Sequence, residues 1–152
     1  MDTLVDYLLA NNLTISCMES LTGGLFGARL TSFSGISKIF CGGIIAYSDE
    51  AKVNIGQVSS QIISEYGAIS REAAVSMAEQ CQQLFKTNIA VSFTGNAGPT
   101  AQEGKPVGLV YSCLSINASV YVYEDLLSGT RDAIREQIIN LMIVRMKENL
   151  GV

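Results

Sequence analysis

Helix-period and strand-period segments take turns along this chain, and that alternation restricts it to one class of fold, an α/β domain. The segment that narrows the choice most is "IAVSFT", residues 89 to 94. It runs on without a charge or a break, as a strand covered on both faces does in a parallel sheet. "LTISCM" reads as a short strand ahead of it, and "GGIIAYS" as another. Further on, "VGLVYSCLS" and "SVYVYED" flank Ile116 to Ala118 and read as a hairpin, so the sheet is mixed.

Helices fill the intervals. "TLVDYLLANN" places Leu4, Tyr7 and Leu8 on one face, and Gly24 to Phe33 offers Leu25, Ala28 and Leu30 for burial. "ISKIF" reads as a helical turn, and "SSQIISEY" as a short helix closed by Gly67. Ser70 suits an N-cap with Glu72 in the first turn, and Ala74, Ala78, Cys81 and Phe85 then mark a core-facing stripe. Thr130 caps a last helix whose Ile134, Ile138, Leu141 and Met142 face inward.

With 152 residues, 48% of them hydrophobic and only 2 prolines, the chain suffices for a single domain with a substantial core, and no internal boundary is placed. The net charge is -4 and the ten basic residues are scattered, which argues against polymeric nucleic acid as a partner. No apolar run reaches the roughly 18 residues of a membrane span. The N-terminus lacks the basic start of a signal peptide. Cys17, Cys41, Cys81 and Cys113 form no CxxC pair and read as small buried hydrophobes of a reducing cytoplasm. Histidine is absent, which removes Ser–His and Cys–His pairs and most transition-metal sites. Hydrolytic chemistry here needs another base.

Ligands of open α/β sheets bind outside the carboxyl ends of strands. Three polar or glycine-rich stretches occupy such places: Glu19 to Gly24, "AYSDEAK" at 46 to 52 and "TGNAGP" at 94 to 99. In the first, Thr22, Gly23 and Gly24 are expected to contact a ligand. Glycines let it approach the backbone, and a helix start offers N–H groups to an anion. A plain strand-to-helix turn has the same composition. The GxxxxGK[ST], GxGxxG, GxSxG and SxxK patterns are all missing.

"MESLTGG", "GGIIAYSDEAK", "GAIS", "FTGNAGP" and "KPVGLVY" stand in order, followed by "SGTRDAIRE". Together they resemble the CinA C-terminal domain family over nearly the whole chain. That family includes nicotinamide-nucleotide amidases, which convert nicotinamide mononucleotide to nicotinic acid mononucleotide and ammonia. The resemblance implies a three-layer α/β/α fold around a mixed, mainly parallel sheet. It also implies a small-molecule nucleotide substrate, no metal or other cofactor, and self-association into a homo-oligomer.

It further implies that Ser20 is the nucleophile, where the residue chemistry alone allows an N-cap or turn hydroxyl. Without histidine the Ser20 proton goes to Lys52, to Tyr47 or to both. Either Lys52 is buried and neutral enough to act as the base, or it stays charged and favours a Tyr47 phenolate that takes the proton. Five positions apart, the two share no helix face, so Tyr47 must lie outside the helix that carries Lys52. Thr94 and Gly95 match the family's second substrate loop, where Gly95 and Gly98 let N–H groups converge on an oxyanion or phosphate. Arg131, unfavourable at a helix N-terminus, has either a substrate phosphate or a surface partner such as Asp132 or Glu136. Glu19 is expected to orient its loop by accepting N–H bonds.

The chain departs from the family at Asn96, where an apolar residue is usual, and at "TAQEG", where glycines are. Thr130 stands where an acid is usual. These departures keep open a catalytically silent nucleotide-binding or scaffold module as the alternative to an amidase.

Overall fold

The computed structural model describes all 152 residues. The helices are α1 (Asp2–Ala10), α2 (Leu25–Thr31), α3 (Asp49–Asn54), α4 (Ser60–Tyr66), α5 (Arg71–Phe85) and α6 (Arg131–Leu150). The strands are β1 (Ile15–Glu19), β2 (Phe40–Ile45), β3 (Ile89–Gly95), β4 (Leu109–Ile116) and β5 (Ser119–Leu126). They form one sheet in the order β2-β1-β3-β4-β5. β1 pairs parallel with both β2 and β3, and the β3–β4 and β4–β5 pairings are antiparallel. Only β4 runs against the other four strands.

Strand pleating sorts the side chains into two layers of core. Ile15 and Cys17 of β1 and Ile89, Val91 and Phe93 of β3 face Leu4 and Leu8 of α1, Phe26 and Leu30 of α2, and Ile138 and Met142 of α6. The intervening residues Met18 and Ala90 face Met77 and Cys81 of α5. Hydroxyls on that second face bond to the helical layer: Ser92 Oγ donates to the Ala74 carbonyl at 2.6 Å. The result is the three-layer α/β/α architecture.

Caps fall at the sequence positions expected of them. Ser70 Oγ accepts from Ala73 N at 3.1 Å, and Thr130 Oγ1 from Ala133 N at 3.2 Å. The β4–β5 hairpin turns at Asn117, in the left-handed region with φ 52°. Two expectations fail locally. Ala28 is exposed, because the shorter α2 turns Phe26 and Leu30 to the core instead. Cys41 is exposed on the edge strand β2, whereas the other three cysteines are buried and all four are free. No helix is long and apolar enough to cross a membrane.

This connectivity places a crevice. The chain leaving β1 turns to α2 on one face of the sheet, and the chain leaving the adjacent β2 turns to α3, which leads to α5 on the other. The carboxyl ends of β1 and β2 therefore part their loops, which is where such sheets bind ligands.

Candidate active site

Ser20 follows the last residue of β1 and keeps the strand register, its N–H donating to the Phe93 carbonyl at 2.9 Å. By the period of two it shares the face of Met18, toward the α3 side. Across the crevice, Ser48 Oγ caps α3 by accepting from Ala51 N at 3.0 Å, and Asp49 and Glu50 complement the first turn. That start fixes the helix phase, and the phase sends Lys52 inward, where it is 2% exposed. Its Nζ lies 3.0 Å from Ser20 Oγ.

Lys52 has no carboxylate bonded to it. Burial pushes its ammonium below the ordinary lysine range, and the charges of Asp49 and Glu103 pull part of that back. Tyr47 lies outside α3, as its pairing with Lys52 requires. It meets the other two residues through its main chain: the Tyr47 carbonyl accepts from Lys52 Nζ at 3.4 Å and from Ser20 Oγ at 3.5 Å. Tyr47 is 57% exposed, and its hydroxyl accepts from Arg131 Nη2 at 2.6 Å. Arg131 Nη1 donates to the Gly98 carbonyl at 2.5 Å. Neither Asp132 nor Glu136 pairs with Arg131: Asp132 holds Arg135, and Glu136 holds Arg29.

Ser20, Tyr47 and Arg131 open onto one cavity of about 270 Å³, lined mainly by polar residues from the three loops, and Lys52 lies buried behind Ser20. Ser20 and Leu21 come from the first loop, Tyr47 to Asp49 from the second, and Gly95 to Gly98 from the third, with Arg131 at the side. The main-chain N–H groups of Leu21, Ala97 and Gly98 donate to no acceptor within the chain. They are among the main-chain donors available to an anion there.

The glycine turn serves the fold more than a ligand. Glu19, 1% exposed, accepts from Gly24 N and Phe26 N at 3.1 Å and from Gly27 N at 2.9 Å. The helix-start donors expected for an anion are thus occupied by the chain's own carboxylate. Thr22, Gly23 and Gly24 do not line the cavity. Gly23 and Gly24 instead supply the positive φ of the turn, 59° and 96°. Thr94 does not line the cavity either: it is buried and its hydroxyl donates to the Ala68 carbonyl at 2.7 Å. Gly95 does line it, but a Cβ there would meet Leu109 O at 2.6 Å, so close approach of β4 requires the glycine.

A model of the CinA C-terminal domain family matches residues 1–150. The chain belongs to that family. It is 52% identical over 109 residues to competence-damage inducible proteins of Listeria monocytogenes, covering 72% of this chain and 26% of theirs. Bacillus cereus relatives of the same name are 42% identical over 134 residues, covering 88% of this chain and 32% of theirs. The chain thus spans between a quarter and a third of these curated relatives. A crystal structure of a CinA superfamily protein from Klebsiella pneumoniae is similar, with TM-score 0.94, 26% identity and coverage of 98% and 94% of the two chains. The competence/damage inducible protein CihA from Agrobacterium tumefaciens is similar with TM-score 0.90, 30% identity and coverage of 96% and 92%.

Seen as a CinA domain, this chain's departures have local explanations. Asn96 is 2% exposed, and its Nδ2 donates to the carbonyls of Lys105, Gln102 and Pro106 at 3.0, 3.2 and 3.4 Å. It ties its own loop together: the Gln102 and Pro106 carbonyls also accept main-chain N–H groups, but an apolar residue would leave the Lys105 carbonyl unpaired. Glu103 accepts from Ala68 N at 2.8 Å and Ile69 N at 3.1 Å. That joins "TAQEG" to the segment before α5. Burial alone would raise its carboxyl, but those two bonds and Lys105 leave it below the usual range. Thr130 remains a competent cap.

Sequence reading missed Arg135, one helical turn beyond Arg131. Its Nε donates to the Leu21 carbonyl at 3.1 Å and its Nη2 to the Thr22 carbonyl at 3.0 Å. The i, i+4 spacing in "RDAIRE" was the available signal.

Proposed function

We propose that this CinA-family domain is a serine amidohydrolase that converts nicotinamide mononucleotide to nicotinic acid mononucleotide and ammonia. The observation that carries the reading is the 3.0 Å separation of Lys52 Nζ from Ser20 Oγ with the lysine buried. A protonated lysine donates to that hydroxyl, whereas a neutral one accepts its proton. Burial favours the neutral form, as a base working near neutral pH needs.

In this reading Lys52 takes the Ser20 proton as Oγ attacks the carboxamide carbon. The N–H groups of Leu21, Ala97 and Gly98 are the candidate partners for the oxygen that becomes negative. Lys52 then returns the proton to the departing nitrogen, and ammonia leaves an ester on Ser20. Water, deprotonated by Lys52, adds to that ester, and the proton returns to Ser20 as the acid is released. Arg131 is the proposed partner of the substrate phosphate, since it faces the cavity without a carboxylate. The base is assigned to Lys52 rather than Tyr47, because the Tyr47 hydroxyl is engaged by Arg131. A cytoplasmic setting and self-association are part of the same reading.

Ammonia release from nicotinamide mononucleotide by the purified chain tests it, with the acid product identified by mass. Ser20→Ala is expected to abolish turnover, consistent with the roughly 10⁶-fold losses on removing a hydrolase nucleophile. A wild-type chain that binds the nucleotide but releases no ammonia at high enzyme concentration would make the domain a silent nucleotide-binding module.

A further inference from the structure

We infer that Arg135 is a positioning residue of the proposed amidase: its guanidinium holds the Leu21–Thr22 stretch that follows Ser20 and so fixes where the nucleophile points. The inference rests on the reading of Ser20 as a nucleophile.

The Ser20 loop is restrained from two directions by side chains of opposite chemistry. Glu19 takes the N–H groups at the start of α2. Arg135 takes two consecutive carbonyls of the loop, with Nε on Leu21 and Nη2 on Thr22. The Thr22 carbonyl also accepts from Leu25 N at 3.1 Å. The Leu21 carbonyl has Arg135 as its one partner in the chain, and Leu21 is only 4% exposed. A buried carbonyl that loses its donor is driven to turn. Because the peptide is planar, turning it rotates the backbone at Leu21 and Thr22, the residues that follow Ser20 directly.

The arginine's remaining bond, Nη1 to Asp132 at 3.1 Å, does not account for it. Asp132 is 86% exposed, and such pairs contribute little. A flat fork that reaches two adjacent carbonyls requires guanidinium, and a lysine ammonium cannot reproduce it. Arg131 and Arg135 stand four residues apart and so share one stripe of α6. The first borders the cavity, and the second braces the loop that carries the nucleophile.

The experiment compares wild type, Arg135→Lys, Arg135→Ala and Asp132→Asn. It measures kcat and KM on nicotinamide mononucleotide, Tm, and the fraction and rate of Ser20 labelling by a fluorophosphonate, read by mass spectrometry. Arg135→Lys and Arg135→Ala are expected to lose kcat by about 10²-fold, the scale of a misplacement near 1 Å, with KM within about threefold. Ser20 should still label to completion in both, but more slowly. Guanidinium ion added to Arg135→Ala should restore part of kcat, and Asp132→Asn should match wild type. Unchanged kcat in Arg135→Ala overturns the inference. So does a loss that follows only a reduced fraction of labelled protein and a lower Tm, because that is a folding role. A wild-type chain inert to both substrate and probe overturns the nucleophile reading itself, and the inference with it.

Discussion

Lys52 Nζ and Ser20 Oγ meet at 3.0 Å from opposite sides of a crevice, one side chain carried by α3 and the other by the end of β1. The lysine reaches that point only by giving up water. A buried ammonium with no carboxylate bonded to it is a cost to the fold, retained where a hydroxyl needs a base.

That cost predicts a trade between stability and activity. Lys52→Met should reduce kcat by about 10²–10⁴-fold, the range for a lost general base. Its Tm at neutral pH should exceed that of wild type. The sign follows from linkage: a lysine lowered by burial binds its proton more weakly folded than unfolded, so wild-type stability rises with pH up to the ordinary value near 10.4. The advantage of Lys52→Met should therefore shrink as pH climbs toward that value. Thermal melts of both proteins across pH check this, and a wild type more stable than Lys52→Met at neutral pH would contradict it.

The pH–rate profile should carry the same signature. The acid limb of kcat/KM reports Lys52 and should lie below the ordinary lysine range. Asp49 and Glu103 both favour the protonated lysine, so Asp49→Asn should move that limb to lower pH. A shift in the other direction, or none, would detach the limb from Lys52.

Tyr47→Phe separates the two candidate bases. It removes the hydroxyl that Arg131 holds and leaves in place the main-chain carbonyl that accepts from Lys52. We expect kcat to fall less than about tenfold, far short of a general-base loss, and KM to rise as Arg131 loses its brace. A loss of kcat equal to that of Lys52→Met would transfer the proton to the phenol.

Asn96→Leu tests the loop that differs from the family. Removing the shared donor of three carbonyls should cost about 1–3 kcal/mol, or a Tm drop of roughly 2–4 °C per kcal/mol for a domain of this size. KM should rise with it, because Asn96 and its neighbours line the cavity. Calorimetry and steady-state kinetics on the same preparation read both effects.

The α/β class, the hairpin and the helix caps are legible in the residues alone. Each depends on neighbours a few residues apart: the period of an apolar stripe, or a hydroxyl three residues before an N–H. The motif order likewise marked Ser20, Tyr47, Lys52 and Arg131 as residues of interest before any coordinates. What each one touches became readable once the layers were packed together. "LTGG" has the composition of an anion cradle, yet Glu19 fills the helix start. Thr94 opens the "TGNAGP" motif, yet it ends up buried in β3 with its hydroxyl on the segment before α5. Arg135 finds its partners more than a hundred residues back along the chain. Such pairings depend on which strand ends the sheet order brings side by side and on which buried carbonyl lacks a donor. Those are properties of packed layers, and no local spacing encodes them.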